Sequence, residues 1–352
     1  MRNSKIWGIT CLVLTVAVII MAGSVPAWID PFFHYSGPRE NLEYPINNQR
    51  YQNNGIVRNF DYDAIITGTS LTENFKTSEF DAFFGTKAVK VSFSGGTFSE
   101  ITSNLQNALK YNPDIRYVLF GIDEWFLFTG RDLILASGKY PTYLYDDNPF
   151  NDVQYLLNKE ILLDNTLGVL EYTRQGGVTT SFDDYSAWKD PTGAENILPG
   201  YHRPEIAEKV EEVTPEMVQT LTENYRNNLV ELAKQYPDTQ FLYFFPPYSI
   251  LDWDLHQREK MTDQIVEGFR LVTDVLLEAP NIQVYSFYDD FDLVTNLDNY
   301  IDVVHYSADV NSLLLERIHR GEGRLTKENA QAHWDKVWEF YTQYDYESIF
   351  QS

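Results

Sequence analysis

Two short stretches far apart in the chain carry residue types that could do chemistry together. Gly68-Thr69-Ser70-Leu71 closes a run of apolar, β-branched residues, and Asp302-Val303-Val304-His305 lies just ahead of a helical pattern. A serine hydroxyl is a poor nucleophile until an imidazole accepts its proton, and that imidazole needs a carboxylate to fix its tautomer and stabilise its charged form. An aspartate and a histidine three residues apart on one loop can meet that geometry. Ser70, His305 and Asp302 are therefore candidates for nucleophilic catalysis. Pro246-Pro247-Tyr248-Ser249 follows another apolar run, which makes Tyr248 and Ser249 candidates for a substrate wall. Asp123 and Glu124, after a third run, are equally placed to grip a substrate or to end a strand.

Other chemistries find less support. His34, His202, His256, His319 and His333 are scattered, with no HExxH or HxH spacing, so no metal centre is expected. The acidic run Asp289-Asp290-Phe291-Asp292 matches no EF-hand loop. Cys11 is the single cysteine, which excludes an intramolecular disulfide, a cysteine-based zinc site and a CxxC redox pair. No cofactor is implied.

The elements that must position these residues alternate in type. Ala64 to Thr67, Ala88 to Phe93, Tyr117 to Phe120, Gln240 to Phe245 and Ile282 to Phe287 are short, β-branched or aromatic runs, each closed by a loop signal or a polar stretch, as buried parallel strands are. Between them, helical spacing marks Ser99 to Tyr111, Thr214 to Tyr236 with proline at its first position, and Asp254 to Leu277. Ala308 to Arg320 and Lys327 to Tyr344 supply two more helices. Strands joined by crossover helices predict an α/β fold with a five-stranded parallel sheet covered on both faces, binding ligand outside the strands' carboxyl ends. Residues 126–203 break the rhythm and read as a large insertion over the sheet's edge. Residues 28–60 form a lead-in, and 61–352 read as one domain.

Ile6 to Gly23 is eighteen residues without a charge, preceded by Arg2 and Lys5. At ~1.5 Å per residue such a helix spans roughly the hydrocarbon thickness of a bilayer. The basic residues before it put the N-terminus in the cytoplasm and the bulk of the chain outside, with 1–27 as a transmembrane anchor; a cleaved signal peptide is the competing reading. The net charge of −24 argues against nucleic acid as partner. It would also repel anionic lipid, so the domain is expected to stand off from the membrane on its tether.

The ordered series of blocks resembles the SGNH (GDSL-type) hydrolase superfamily over roughly residues 60–320. Gly68-Thr69-Ser70-Leu71 stands where that family has Gly-Asp-Ser-Leu, Ser94-Gly95-Gly96 where it has the second-block glycine, and Asp302-x-x-His305 where it has the terminal Asp-x-x-His. With an N-terminal anchor and the stretches ITGTSLTENF, FFPPYS and NLDNYIDVVHYS, the chain is similar to the membrane-anchored envelope-acylation branch grouped near the teichoic-acid D-alanyl transfer protein. The resemblance implies a three-layer α/β/α flavodoxin-like SGNH fold. It implies Ser70 as nucleophile, His305 as general base and acid, and Asp302 as its orienting carboxylate. The N–H groups of Ser70 and of Gly95 or Gly96 would form the oxyanion hole. The implied activity is that of an esterase or O-acyltransferase working through an acyl-serine on a cell-envelope polysaccharide or teichoic-type polymer, alongside a multispanning membrane O-acyltransferase. A catalytically silent scaffold of such a complex is the alternative.

One block departs from the family. Where an asparagine normally donates to the oxyanion, the chain reads Gly121-Ile122-Asp123-Glu124. An ionised Asp123 would repel an oxyanion, so it must be protonated, turned away, or gripping a substrate hydroxyl.

Overall fold

A computed structural model of the protein describes residues 2–127, 140–209 and 212–351. The chain divides into two compact units, Met1–Asp61 with Ala136–Ser181, and Tyr62–Leu135 with Phe182–Ser352. This division cuts across the boundaries read from sequence. Residues 136–181 of the 126–203 interval group with the lead-in, whereas 182–203 group with the sheet. Residues 128–139 of that interval lie outside the described residues.

The larger unit is α/β. Its strands are β1 (Ala64–Thr67), β2 (Ala88–Lys90), β3 (Tyr117–Gly121), β4 (Gln240–Phe245), β5 (Ile282–Ser286) and β6 (Arg324–Leu325), in the spatial order β2-β1-β3-β4-β5-β6. The first five are parallel, and β6 pairs antiparallel with β5 through Val284 opposite Leu325 and Tyr285 opposite Arg324. The sheet is thus six-stranded and mostly parallel, one strand more than expected, because a two-residue strand has no periodicity to read. Continuous apolar runs fill its centre: Ile65, Ile66, Val118, Leu119, Phe120, Phe241 and Phe244 are fully buried, as strands covered on both faces require. The chain runs from β1 outward to β2 and then back across β1 to β3, so the order reverses beside β1. That reversal opens a crevice at the carboxyl ends of β1 and its neighbours.

The helices follow their local signals. Phe98–Tyr111 starts with a capping box between Thr97 and Glu100. Pro215–Tyr225 starts on the Thr214 cap and continues through a wider turn, Arg226–Val230, into Glu231–Gln235. The stretch Asp254 to Leu277, expected as one helix, is instead two, Ile250–Glu259 and Thr262–Leu276. Lys260 takes a left-handed conformation (φ 58°) and ends the first of them, a role normally filled by glycine and so not marked in the sequence.

The smaller unit is built around the helix Arg2–Ile29, whose portion from Ser4 is long and apolar enough to cross a membrane. Burial begins at Gly23, where the helix meets Leu156 and Leu157, and Ile29 and Asp30 are only 1% exposed. Asp30 ends the helix at φ 54°, its carboxylate accepting hydrogen bonds from the N–H groups of His34, Tyr35 and Ser36 and from the hydroxyl of Tyr155. The expected free tether is therefore absent: the apolar helix runs without a linker into the unit's core of Phe32, Tyr143, Leu144, Tyr155 and Ile161. The Asp30 carboxylate is consumed in closing the turn that follows the helix.

Candidate active site

The carboxyl ends of β1, β2 and β3 and the loop before the helix Ala308–His319 converge in the larger unit. Ser70 opens a single turn of helix, Ser70–Thr72, directly after β1. The turn depends on Gly68, which has φ 149°; a Cβ there would lie 2.6 Å from Thr72 Cγ2 and 3.1 Å from the carbonyl of Gly121. Both the conformation and the close approach require glycine.

The three catalytic candidates meet. Ser70 Oγ lies 2.7 Å from His305 Nε2, and His305 Nδ1 lies 2.7 Å from Asp302 Oδ2. Asp302 Oδ1 accepts the backbone N–H groups of Val304 and His305 at 2.8 and 2.7 Å, so the short loop folds around its own carboxylate. Burial acts to raise the Asp302 pKa, but the hydrogen bonds and charge of His305 prevail and hold it below the usual carboxylate value. For His305, burial acts to lower the pKa and is outweighed by Asp302, with smaller contributions from Asp123 and Glu73; the imidazole sits above its ordinary value. The His305 side chain is 27% exposed, enough to be reached by a reactant. The Trp188 indole meets the His305 ring edge to face, 5.5 Å between centroids, and its Nε1 donates to Glu73 at 2.9 Å. Nothing in the sequence around Trp188 marks it as a partner of His305.

The remaining predicted residues divide. The N–H of Gly96 donates to the carbonyl of Phe93 at 2.8 Å, closing a tight turn, so Gly96 cannot serve as an oxyanion donor. Gly95, at the exposed tip of that turn with φ 54°, keeps that candidacy, as does the N–H of Ser70. Asp123 is 5% exposed and accepts the hydroxyl hydrogen of Thr69. Burial pushes its pKa up to about 6, against the opposing Thr69 hydrogen bond and the charge of His305. Asp123 therefore braces the residue beside Ser70 rather than gripping a substrate. Tyr248 is 5% exposed and Ser249 is fully buried, so neither forms the expected substrate wall. Ser249 caps the helix Ile250–Glu259 and donates its hydroxyl to the carbonyl of Val303 at 2.5 Å, which ties β4's exit to the Asp302–His305 loop.

Glu124 is likewise withdrawn. Its Oε1 lies 2.8 Å from His256 Nε2, and Asp252 Oδ2 approaches the same nitrogen at 2.9 Å. Only the Glu124 contact has hydrogen-bond geometry, leaving Asp252 as a charge partner. Burial opposes a charged His256, but the two carboxylates outweigh it and hold the imidazole well above its ordinary pKa. Burial and the nearby Asp252 push Glu124 up to about 7, against the pull of His256. Glu124, Asp252 and His256 are the residue types that could hold a cation, their ligand atoms lying within 4.8 Å of one another. Both carboxylates approach the one nitrogen, Nε2, and Nδ1 has no hydrogen-bond partner among the described residues. His256 is thus not the isolated histidine its sequence neighbourhood suggested; Asp252, one helical turn away, was the available signal.

No protein family and no curated protein sequence matches the chain. A solved structure from Streptococcus pneumonia, described as that of a candidate platelet activating factor, is similar at 12% identity and a TM-score of 0.40, covering 78% of this chain and 90% of that one. A likeness at that level assigns neither family nor activity.

Proposed function

We propose that this chain is an extracytoplasmic, membrane-anchored serine acyl-transfer enzyme of the SGNH type, with the flavodoxin-like layering of that superfamily. The single observation that carries the reading is the unbroken series Ser70 Oγ, His305 Nε2, His305 Nδ1 and Asp302 Oδ2, with 2.7 Å at each non-covalent step. In it, His305 takes the Ser70 proton as Oγ attacks an ester carbonyl, while Asp302 stabilises the imidazolium that forms. The N–H groups of Ser70 and Gly95 face the developing oxyanion. His305 then returns the proton to the departing alcohol, leaving an acyl-serine. Water or a sugar or polyol hydroxyl, deprotonated by the same imidazole, releases the acyl group. The resemblance in the sequence blocks and the N-terminal apolar helix support a cell-envelope polysaccharide or teichoic-type polymer as acceptor. They equally support a multispanning membrane O-acyltransferase as partner.

The test is intact mass of the full chain in detergent after exposure to a fluorophosphonate. A single adduct, absent from Ser70→Ala and His305→Ala, supports the reading. No adduct on a folded sample favours the second reading, a silent scaffold, whose one supporting observation is that a carboxylate, Asp123, occupies the position of the family's oxyanion-donating asparagine.

A further inference from the structure

The smaller unit leaves an unusual set of apolar side chains uncovered. Phe150, Val153, Leu157, Leu163, Leu167 and Leu170 are all between 37% and 89% exposed. They are ordered: Val153 and Leu157 are four apart, and Leu163, Leu167 and Leu170 recur at i, i+4 and i+7 along Ile161–Thr166 and Leu167–Arg174. Helical spacing of that kind gathers side chains on one face. Soluble surfaces seldom carry such a stripe unless something covers it.

The position of the stripe identifies the cover. Val153–Leu156 and Ile161–Thr166 pack directly on the helix Arg2–Ile29. The contact starts at Gly23, whose added Cβ would lie 3.4 Å from Leu157 and 3.6 Å from Leu156. Gly23 also closes the apolar stretch that starts at Ile6, before the polar Ser24 and the helix-breaking Pro26, although the chain stays uncharged as far as Ile29; Ile6 to Gly23 is ~27 Å at helical rise and so roughly one hydrocarbon thickness. When that run crosses a bilayer, Leu157 lies at the boundary between acyl chains and headgroups. Trp28, 58% exposed about one turn further on, falls among the headgroups, where indoles are favoured. Because the helix enters the unit's core without a linker, the unit cannot lift away from the surface.

We infer that the stripe Val153, Leu157, Leu163, Leu167 and Leu170 is seated in the outer interfacial layer of the same bilayer that the Arg2–Ile29 helix spans. This rests on the membrane-spanning part of the proposed reading and is independent of the chemistry at Ser70. Glu160, Asp164 and Glu171 are exposed on the same segment together with Lys159 and Arg174, so the segment has no excess of positive charge. They make the seat one of apolar insertion rather than attraction to anionic lipid, so zwitterionic lipid suffices and added anionic lipid does not strengthen it.

The experiment uses the full chain reconstituted in phosphatidylcholine nanodiscs. An environment-sensitive dye is attached to Leu157→Cys, Leu163→Cys or Leu167→Cys in a Cys11→Ser background, and to native Cys11 in the parent. The three leucines are exposed and Cys11→Ser is a near-isosteric change, so folding is preserved. The expected result is a loss of emission of about two-fold or more with nitroxides near the headgroup, less with nitroxides at the chain ends, and little with aqueous iodide, as an apolar face buried ~5–10 Å requires. Dyes quenched by iodide and not by lipid nitroxides would overturn the inference. Dyes shielded from both quenchers would also overturn it, in favour of a second protein on the stripe. The Cys11 dye, quenched by deep nitroxides, reports separately whether the helix spans at all.

Discussion

Thr69 donates its hydroxyl hydrogen to the buried carboxylate of Asp123, so the residue immediately before Ser70 is braced against the end of the neighbouring strand. The same carboxylate contributes to holding the His305 pKa above its ordinary value. In this site, Asp123 acts on turn shape and on the base, two effects that an asparagine would divide: the carboxamide oxygen could still accept from Thr69, but the charge would be gone.

Asp123→Asn should therefore move the acid limb of Ser70 reactivity to lower pH. His305 must be neutral to accept the Ser70 proton, and its raised pKa moves that condition to higher pH in the parent chain. Removing a nearby negative charge lowers that pKa. The check is the rate of fluorophosphonate labelling against pH in both proteins. An unchanged midpoint would mean that Asp123 does not act on His305.

Asp302→Asn tests the other side of the imidazole. Asp302 accepts His305 Nδ1–H and two backbone N–H groups, and its side chain is 51% exposed, so the substitution leaves the fold in place. The carboxamide can present an N–H to Nδ1 and so favour the wrong tautomer. Labelling should slow by up to ~10⁴-fold, while circular dichroism and the unfolding midpoint stay near those of the parent. A variant that labels at the parental rate would remove Asp302 from the mechanism.

The ion cluster behind the site predicts a pH dependence of stability. His256 has a raised folded pKa, so its contribution is complete below its unfolded value of ~6.5 and is lost as pH rises through the folded value. Glu124, raised to about 7, also loses stability with rising pH, between its unfolded value of ~4.3 and about 7. Both slopes have the same sign. His256→Gln alone leaves two buried carboxylates facing each other and should cost ~3–5 kcal/mol at neutral pH. The pair Glu124→Gln with His256→Gln should cost less and flatten the dependence between mildly acid and alkaline pH. Urea midpoints across that range decide it.

The legible parts of this protein were those fixed by short-range chemistry. Ser70 follows a strand because Ala64–Thr67 is a continuous apolar run closed by Gly68, and Asp302 and His305 meet because three residues of loop suffice to fold a carboxylate onto its own imidazole. Such signals lie within a few residues of the groups they position. What escaped depends on contacts between distant segments. Gly96 looked equivalent to Gly95 until the turn gave its N–H to Phe93. Ser249 looked like a cleft residue until its hydroxyl was taken by Val303, 54 positions away. Glu124 found His256 across 132 positions. The two-unit division was hidden for the same reason, since residues 140–181 pack with a segment on the far side of β1 in sequence.

Ser249 offers the most discriminating test of how the site is held together. Its side chain accepts the N–H of Leu251 at 3.2 Å, and it donates to a carbonyl inside the Asp302–His305 loop. Ser249→Ala removes a helix cap and a buried hydrogen bond, and leaves the Val303 carbonyl with only the longer bond from the Ser249 N–H, at 3.3 Å. The expected loss of stability is ~1–2 kcal/mol. Because the bond fixes the loop and not the imidazole's charge, labelling of Ser70 should slow at every pH with no movement of the acid limb. That pattern separates a positioning residue from one that tunes His305. If instead the labelling rate is unchanged while stability falls, Ser249 is a helix cap alone, and the loop is held by Asp302 and its own backbone.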